Sequence, residues 1–149
     1  MPSPPNEYRP PWWYRGAHLQ TLWGPLFRRP GRLSLRRERV NTPDGDFLDL
    51  DWLEPAPPGA PLVVILHGLE GSSQSHYVAG LGGEASALGL RAVILNFRSC
   101  SGELNRTLRL YHSGETTDLD WVLGMLEARR VAARIGLVGV SLGGNVALK

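Results

Sequence analysis

Gly139-Val140-Ser141-Leu142-Gly143 ends the apolar run at residues 135–140, and this stretch decides the predicted fold. An apolar strand that breaks at G-x-S-x-G into a helix is typical of a nucleophile elbow, a strained turn that exposes the serine hydroxyl. Glycine is expected at 139 and 143 because neighbouring chain comes too close there for a Cβ atom. The turn also directs the backbone N–H of Leu142 towards the place where a substrate oxyanion would form.

A second glycine loop gives this short pattern its context. G-x-S-x-G alone is a weak signal, because many such pentapeptides are ordinary turns. Here the continuous apolar run Leu62–Leu66 is typical of a strand buried on both faces, and it leads into His67-Gly68-Leu69-Glu70-Gly71. Because the carboxyl ends of parallel strands lie at one edge of a sheet, we expect this loop and the elbow to lie together.

Length and composition indicate one globular domain. The 149 residues are 42% hydrophobic with a net charge of +2, and fifteen of the sixteen basic residues are arginine. The single Cys100 cannot form an internal disulfide, which fits a reducing compartment. No apolar run approaches the roughly 18 residues that span a bilayer, and residues 1–5 do not resemble a secretory signal. We therefore expect no transmembrane segment and a cytoplasmic location.

Residues 1–30 form a segment rich in proline, tryptophan and arginine, which we expect to lie across the surface of the domain. Its prolines are expected to prevent a long regular element. Its indole rings could pack down as anchors or line an entrance for an acyl chain. Packing is favoured, because large aromatic side chains usually serve burial.

An arginine cluster follows, and it has two interpretations. Its members are Arg28, Arg29, Arg32, Arg36, Arg37 and Arg39. They could contact phosphates. Apolar residues at strand-like positions interrupt the cluster, however, so arginines facing solvent on a first strand are favoured and no nucleic-acid partner is expected.

The rest of the chain alternates predicted strands and helices. Thr42-Pro43-Asp44-Gly45 predicts a turn from the first strand into a second at residues 47–52. After Leu62–Leu66 come a helix that ends at Gly89, a strand at residues 92–95 and a polar loop at residues 98–116. The apolar positions of that helix are Val78, Leu81, Ala85 and Leu88.

A second helix is predicted to begin at Thr117, which has Asp120 at capping-box spacing, and the strand at residues 135–140 follows it. We therefore predict an α/β fold over residues 31–149. Its sheet is mostly parallel with an N-terminal antiparallel hairpin, and helices cover both faces.

Four strings of residues together resemble the YheT-like branch of the α/β-hydrolases. They are His67-Gly68-Leu69-Glu70-Gly71-Ser72-Ser73 with Ser75-His76-Tyr77, then Asn96-Phe97-Arg98 through Cys100-Ser101-Gly102-Glu103, then Leu110-Tyr111-His112-Ser113-Gly114, and Gly139-Val140-Ser141-Leu142-Gly143-Gly144-Asn145. Pro10-Pro11-Trp12-Trp13 and His18-Leu19-Gln20-Thr21 are similar to the same branch, so the resemblance covers nearly the whole chain. It implies a serine carboxylic-ester hydrolase, esterase- or lipase-like, that needs no cofactor. The substrates it implies are short- to medium-chain acyl esters or acylglycerols.

The resemblance also implies roles for particular residues. Ser141 is expected to be the nucleophile, and the backbone N–H groups of Leu69 and Leu142 are expected to form the oxyanion hole. For His67 it implies a structural role in the turn, which is favoured over general base. Ser99 departs from the family pattern, because glycine is expected at that position.

A larger departure concerns the partners of the serine. In this fold the acid and the histidine follow the nucleophile, yet only eight residues follow Ser141 and none is Asp, Glu or His. We therefore expect the N-terminal half of a hydrolase, truncated after the elbow, inactive alone and with an apolar strand at the sheet edge. The alternative is a non-catalytic remnant or interaction module built on a hydrolase half-fold.

Other sites are disfavoured by the residues themselves. Cys100 lacks a histidine-paired context, so a buried thiol is favoured over a nucleophile. His67 and His76 are not at ligand-pair spacing, and no Cys/His cluster supports a metal site. The elbow lacks the lysine of a P-loop and the spacing of a dinucleotide fingerprint.

Overall fold

A five-stranded sheet forms the centre of the structure, a computed structural model that describes residues 10–27 and 33–149. After a short 3-10 helix at Trp12–Tyr14, the elements in chain order are α1 (Ala17–Phe27), β1 (Leu35–Asn41), β2 (Phe47–Leu53), β3 (Leu62–Leu66), α2 (His76–Ala87), β4 (Arg91–Asn96), α3 (Thr117–Ala128), β5 (Ile135–Gly139) and α4 (Leu142–Leu148). The strands are arranged β1-β2-β4-β3-β5. β1, β2 and β4 pair antiparallel, and β4, β3 and β5 pair parallel. The predicted α/β fold with its N-terminal hairpin is confirmed.

Helices cover both faces of the sheet, as expected. On one face, Leu126 of α3 and Val146 of α4 belong to the larger hydrophobic cluster. On the other face, Val78 of α2 belongs to the smaller one. The central strand β3 contributes to both clusters, with Leu66 in the larger and Ile65 in the smaller. A strand buried on both faces needs apolar residues at successive positions, which explains its continuous apolar sequence.

β5 lies at the edge of the described sheet, with its apolar side chains partly in solvent. It pairs with β3 along its length, and Leu137 and Val138 are each 37% exposed. The sequence predicted an apolar strand at this edge, and the described structure agrees with that prediction. An exposed apolar edge is a site where further chain can add to a sheet.

The N-terminal segment differs from the prediction in two respects. It contains an eleven-residue helix, α1, although its prolines predicted no long regular element. Pro25 falls in the last turn, so its missing N–H removes one helical hydrogen bond only. The preferred burial of the indoles is wrong for Trp12, which is 80% exposed. No described helix has both the length and the apolar character to cross a bilayer.

Two local details of the helices also differ. The capping box predicted at Thr117 is wrong: Thr116 occupies the cap position without a side-chain cap bond, and the N–H of Thr117 donates to Glu115 Oε1 instead. Leu88, predicted on the apolar stripe of α2, is 72% exposed because the helix ends at residue 87. Local patterns locate a helix more reliably than they locate its ends.

The arginines of β1 face solvent and pair with carboxylates of β2. Arg37 binds Asp51 through two hydrogen bonds of 2.8 Å, and Arg39 binds Asp49 in the same way. The carboxylates are buried while the guanidinium groups are partly exposed. Arg28, Arg29 and Arg32 lie outside the described residues.

A buried ionic network, which the sequence did not reveal, holds the loop after β4. Arg98 is 1% exposed and forms two hydrogen bonds, of 2.7 and 2.8 Å, with Asp118. It also donates to the buried Asp46 at 2.9 Å. Asp46 accepts further hydrogen bonds from Phe47, Asn105, Arg106 and Thr107. These donors hold the pKa of Asp46 well below its ordinary value, against the effect of burial.

Ser99, where the family pattern has glycine, adopts a left-handed backbone conformation with φ of 64°. Its Oγ accepts from the Asn105 N–H at 3.2 Å, and the Asn105 side chain accepts from the Ser99 N–H. A non-glycine residue costs about 1–2 kcal/mol in this conformation. The local hydrogen bonds offset that strain.

The Ser99 position can be tested with two substitutions. Ser99→Gly relieves the strain but loses the Oγ bond, worth about 1 kcal/mol, so the free energy of unfolding should change by less than about 0.5 kcal/mol. Ser99→Ala keeps the strain and loses the bond, so it should cost about 1 kcal/mol. Urea unfolding measures both. An alanine variant more stable than the glycine variant would contradict this account.

Candidate active site

Ser141 lies in the turn between β5 and α4, in a backbone conformation that residues with a side chain rarely adopt. Its φ is 51° and its ψ is −115°, and the residue is exposed. Such strain persists only where surrounding structure imposes it, and it is concentrated at functional sites. The strand, the sharp turn and the following helix together have the geometry of a nucleophile elbow.

The glycines beside the serine are required by packing. A Cβ atom on Gly143 would lie 2.6 Å from the carbonyl oxygens of Leu66 and His67. One on Gly139 would lie 2.5 Å from the backbone nitrogen of Gly144. Real Cβ atoms do not approach backbone this closely, so each position excludes every other residue in this geometry.

The loop after β3 meets the elbow, because β3 and β5 are parallel neighbours. Leu66 pairs with Gly139, and the N–H of Val140 donates to the carbonyl of Leu66 at 3.0 Å. A Cβ atom on Gly68 would lie 3.5 Å from the Cβ of Ser141. The structure therefore brings the two glycine loops together at one edge of the sheet.

Both amides predicted for the oxyanion hole are available in this arrangement. Within residues 10–27 and 33–149, no group accepts a hydrogen bond from the N–H of Leu69 or from that of Leu142. The Leu69 side chain is 69% exposed, whereas that of Leu142 packs against the larger cluster. Backbone donors without acceptors beside the nucleophile are what an oxyanion requires.

His67 is committed to backbone contacts on both sides of its ring. Its Nε2 accepts from the N–H of Phe97 at 3.0 Å, so Nδ1 must carry the proton that is donated to the Gly68 carbonyl at 2.7 Å. The ring is fully buried, and this burial holds its pKa below the ordinary value. His67 therefore acts as a structural link between two strand ends.

No described side chain completes a catalytic pair with Ser141. In the described ranges, no histidine or carboxylate is hydrogen-bonded to its hydroxyl, and no group of three or more His, Cys, Asp or Glu residues could hold a metal ion. Burial raises the pKa of the Cys100 thiol, which disfavours the reactive thiolate.

Sequence reasoning assigned no role to Tyr77 and Tyr111, whose hydroxyl groups contact the loop after β3. Tyr77 accepts from the Gly68 N–H at 2.9 Å, and Tyr111 accepts from the Glu70 N–H at 2.8 Å. Both tyrosines lie in strings that carried the family resemblance. Their place in these strings was the one signal of a role that the sequence offered, because Tyr111 is 41 residues from Glu70 in the chain.

Comparisons with known proteins identify the fold class first. A Pyrococcus furiosus esterase, Pf2001, aligns with 78% of this chain and 45% of its own at a TM-score of 0.60 and 22% identity. A structure of DcsB in complex with its substrate analogue covers 76% of this chain and 39% of its own at a TM-score of 0.64 and 19% identity. The chain therefore has the fold of the N-terminal part of an α/β-hydrolase.

Sequence similarity then identifies the branch. The chain is 45% identical to the Escherichia coli (strain K12) protein described as "Putative esterase YheT", over 94% of its own length and 42% of that protein. It is 29% identical to human "Phospholipase ABHD3" over 96% of its length and 37% of that protein. No family model matches. The chain is a partial segment that resembles the YheT-like branch of the α/β-hydrolases, and it spans less than half the length of these relatives.

The close packing at Gly143 predicts a large effect from one methyl group. Gly143→Ala should lower the free energy of unfolding by about 1–3 kcal/mol, because the new Cβ must displace backbone of the β3 exit. Gly124→Ala is the matched control, since a Cβ atom there has open space inside α3. It should raise stability by about 0.5–1 kcal/mol. Equal stability of the two variants in urea unfolding would contradict the packing argument.

The environment of His67 predicts a loss of stability in acid. Its folded pKa lies below the unfolded value of about 6.5, so its contribution is present above that pH and is lost as the pH falls. Between pH 6.5 and 5, the free energy of unfolding is measured against pH. Its slope should be up to about 1.4 kcal/mol per pH unit smaller in His67→Gln than in the parent. Ser86→Ala, which changes an exposed hydroxyl of α2 and no titratable group, should keep the parental slope. Parallel curves for parent and His67→Gln would refute the assignment.

Proposed function

We propose that the polypeptide containing this chain is a serine hydrolase that cleaves carboxylic esters, with Ser141 as nucleophile. One observation carries the proposal: the strained, exposed Ser141 shares an edge of the sheet with two backbone amides that lack acceptors among the described residues. The amides are those of Leu69 and Leu142. Relatives named as an esterase and a phospholipase support the same reaction class.

The proposed reaction follows from this geometry. The Ser141 hydroxyl oxygen attacks the ester carbonyl carbon and passes its proton to a general base. The carbonyl oxygen becomes an oxyanion, which accepts hydrogen bonds from the Leu69 and Leu142 amides. Collapse of this intermediate expels the alcohol, which takes the proton, and leaves an acyl-serine. Water then attacks the acyl-serine and releases the acid.

Among the described residues, no histidine is hydrogen-bonded to Ser141, so none of them is positioned as the general base. We place the acid and the histidine beyond Lys149 in a longer polypeptide, in the chain order that α/β-hydrolases use. On this proposal, the 149-residue chain alone does not turn over substrate, because a serine hydroxyl without an oriented base is a poor nucleophile.

The proposed substrates are short- to medium-chain acyl esters or acylglycerols. The two amides would recognise a carbonyl oxygen and carry no formal charge, so they suit any ester carbonyl. Human "Phospholipase ABHD3" and zebrafish "Monoacylglycerol lipase ABHD2" are relatives with lipid substrates in their names. A graded series of acyl chains measured on the longer polypeptide would define the preference.

Active-site labelling tests the nucleophile. A fluorophosphonate probe should label the longer polypeptide, and Ser141→Ala should abolish labelling because the attacking oxygen is gone. Ser86→Ala, which removes an exposed hydroxyl from α2, should label like the parent. The 149-residue chain should remain unlabelled. A parent that never labels would favour the non-catalytic interaction module, and labelling that survives in Ser141→Ala would assign the nucleophile elsewhere.

A further inference from the structure

In the loop after β3, one backbone amide lacks a hydrogen-bond acceptor while its neighbours have one. From Gly68 to Ser75, all within the described part of the chain, every N–H donates to an acceptor except that of Leu69. The N–H of Leu69 is thus open, whereas the N–H groups on either side of it are bound by side chains.

Two tyrosine hydroxyl groups occupy the neighbours of that amide. The Tyr77 hydroxyl, on the first turn of α2, accepts from the N–H of Gly68 at 2.9 Å. The Tyr111 hydroxyl, in the loop between β4 and α3, accepts from the N–H of Glu70 at 2.8 Å. The residue before Leu69 and the residue after it are therefore each tied to a different part of the fold.

The backbone at this point needs such support. Glu70 has a positive φ of 53°, which is unfavourable for a residue with a side chain. A Cβ atom on Gly71 would collide with the Tyr77 hydroxyl, so the tyrosine is packed closely against the loop. Without the two hydroxyl groups, the peptide unit carrying the Leu69 N–H could rotate and find water or another acceptor.

The tyrosine rings are themselves fixed. Tyr111 stacks on Phe97 with a centroid distance of 5.2 Å and an interplanar angle of 4°, and Phe97 contacts the buried ring of His67. Burial raises the pKa of Tyr111, so the group remains a neutral hydroxyl.

We propose that Tyr77 and Tyr111 are positioning residues, which clamp the amides on either side of Leu69 and so aim its N–H at the substrate oxyanion. This inference rests on the proposed ester hydrolysis at Ser141. The tyrosines do not touch the substrate. They keep one donor oriented before the reaction starts, which is the condition under which an oxyanion hole accelerates the chemical step.

The test uses Tyr77→Phe and Tyr111→Phe in the longer polypeptide, because each removes one oxygen and keeps the ring. A p-nitrophenyl butyrate assay should show kcat lowered roughly 3- to 10-fold for each variant, in line with the loss of one neutral hydrogen bond. KM should change less than about 2-fold, because the donor acts mainly on the transition state. The inhibition constant for a trifluoromethyl ketone, which forms an oxyanion on the serine, should rise by the same factor as kcat falls.

Amide hydrogen exchange provides a readout that does not depend on turnover. Exchange at Gly68 should be faster in Tyr77→Phe, and exchange at Glu70 should be faster in Tyr111→Phe. Ser86→Ala, which removes an exposed hydroxyl from the same helix as Tyr77, should match the parent in every measurement. Circular dichroism and Tm show whether each variant is folded. If one tyrosine variant is unfolded, the measurements on the other tyrosine variant decide the test.

The outcomes separate this inference from the proposed function. An active parent whose tyrosine variants keep kcat within 2-fold, or lower kcat only in step with global stability, would overturn the positioning role. Unchanged exchange at Gly68 and Glu70 would overturn the clamp itself. A parent without Ser141-dependent hydrolysis would overturn the proposed function, and the inference with it.

Discussion

Direct backbone contact between the elbow and the exit of β3 is the constraint on which the site depends. Gly143 rests on the carbonyls of Leu66 and His67, with no room for a Cβ atom. This contact lets α4 begin beside β3 and holds Ser141 over Gly68. Any side chain at position 143 would push the helix away and separate the serine from the Leu69 amide. The strain at Ser141 is maintained by packing that local sequence alone could not supply.

Buried polar and aromatic contacts hold the loop after β4, which is hydrogen-bonded to the loop after β3. Arg98, paired with Asp46 and Asp118, fixes the loop that follows β4. Buried charges are costly to desolvate, and here each carboxylate also receives hydrogen bonds or an ion pair that offset the cost. The next part of that loop carries Tyr111, stacked on Phe97. A network far from the serine in sequence thus holds the loop from which Tyr111 bonds to the Glu70 amide.

Most of the scaffold could be predicted from pattern. The continuous apolar run of β3, the turn at Thr42-Pro43-Asp44-Gly45 and the alternation of strands with helices were sufficient for the sheet and its hairpin. Errors occurred at the ends of elements and on the surface. Thr117 had capping-box spacing, but another local acceptor, the Glu115 carboxylate, binds its N–H. Trp12 is exposed although its size favours burial, because neither hydrophobic cluster of the described residues includes a residue between 10 and 27.

By itself, the sequence determined that a glycine-flanked serine follows an apolar strand, and that a second glycine loop follows another, because both features are local and periodic. Tertiary structure alone decided that the two loops meet, that His67 is occupied on both ring nitrogens, and that the N–H of Leu69 stays open between two tyrosine-bound neighbours. Apart from the bond of His67 to the adjacent Gly68, those facts depend on contacts between residues distant in the chain, such as Glu70 with Tyr111 and Leu66 with Gly139. Partners at such separations are chosen by how the strands and helices pack, and no local pattern records that choice.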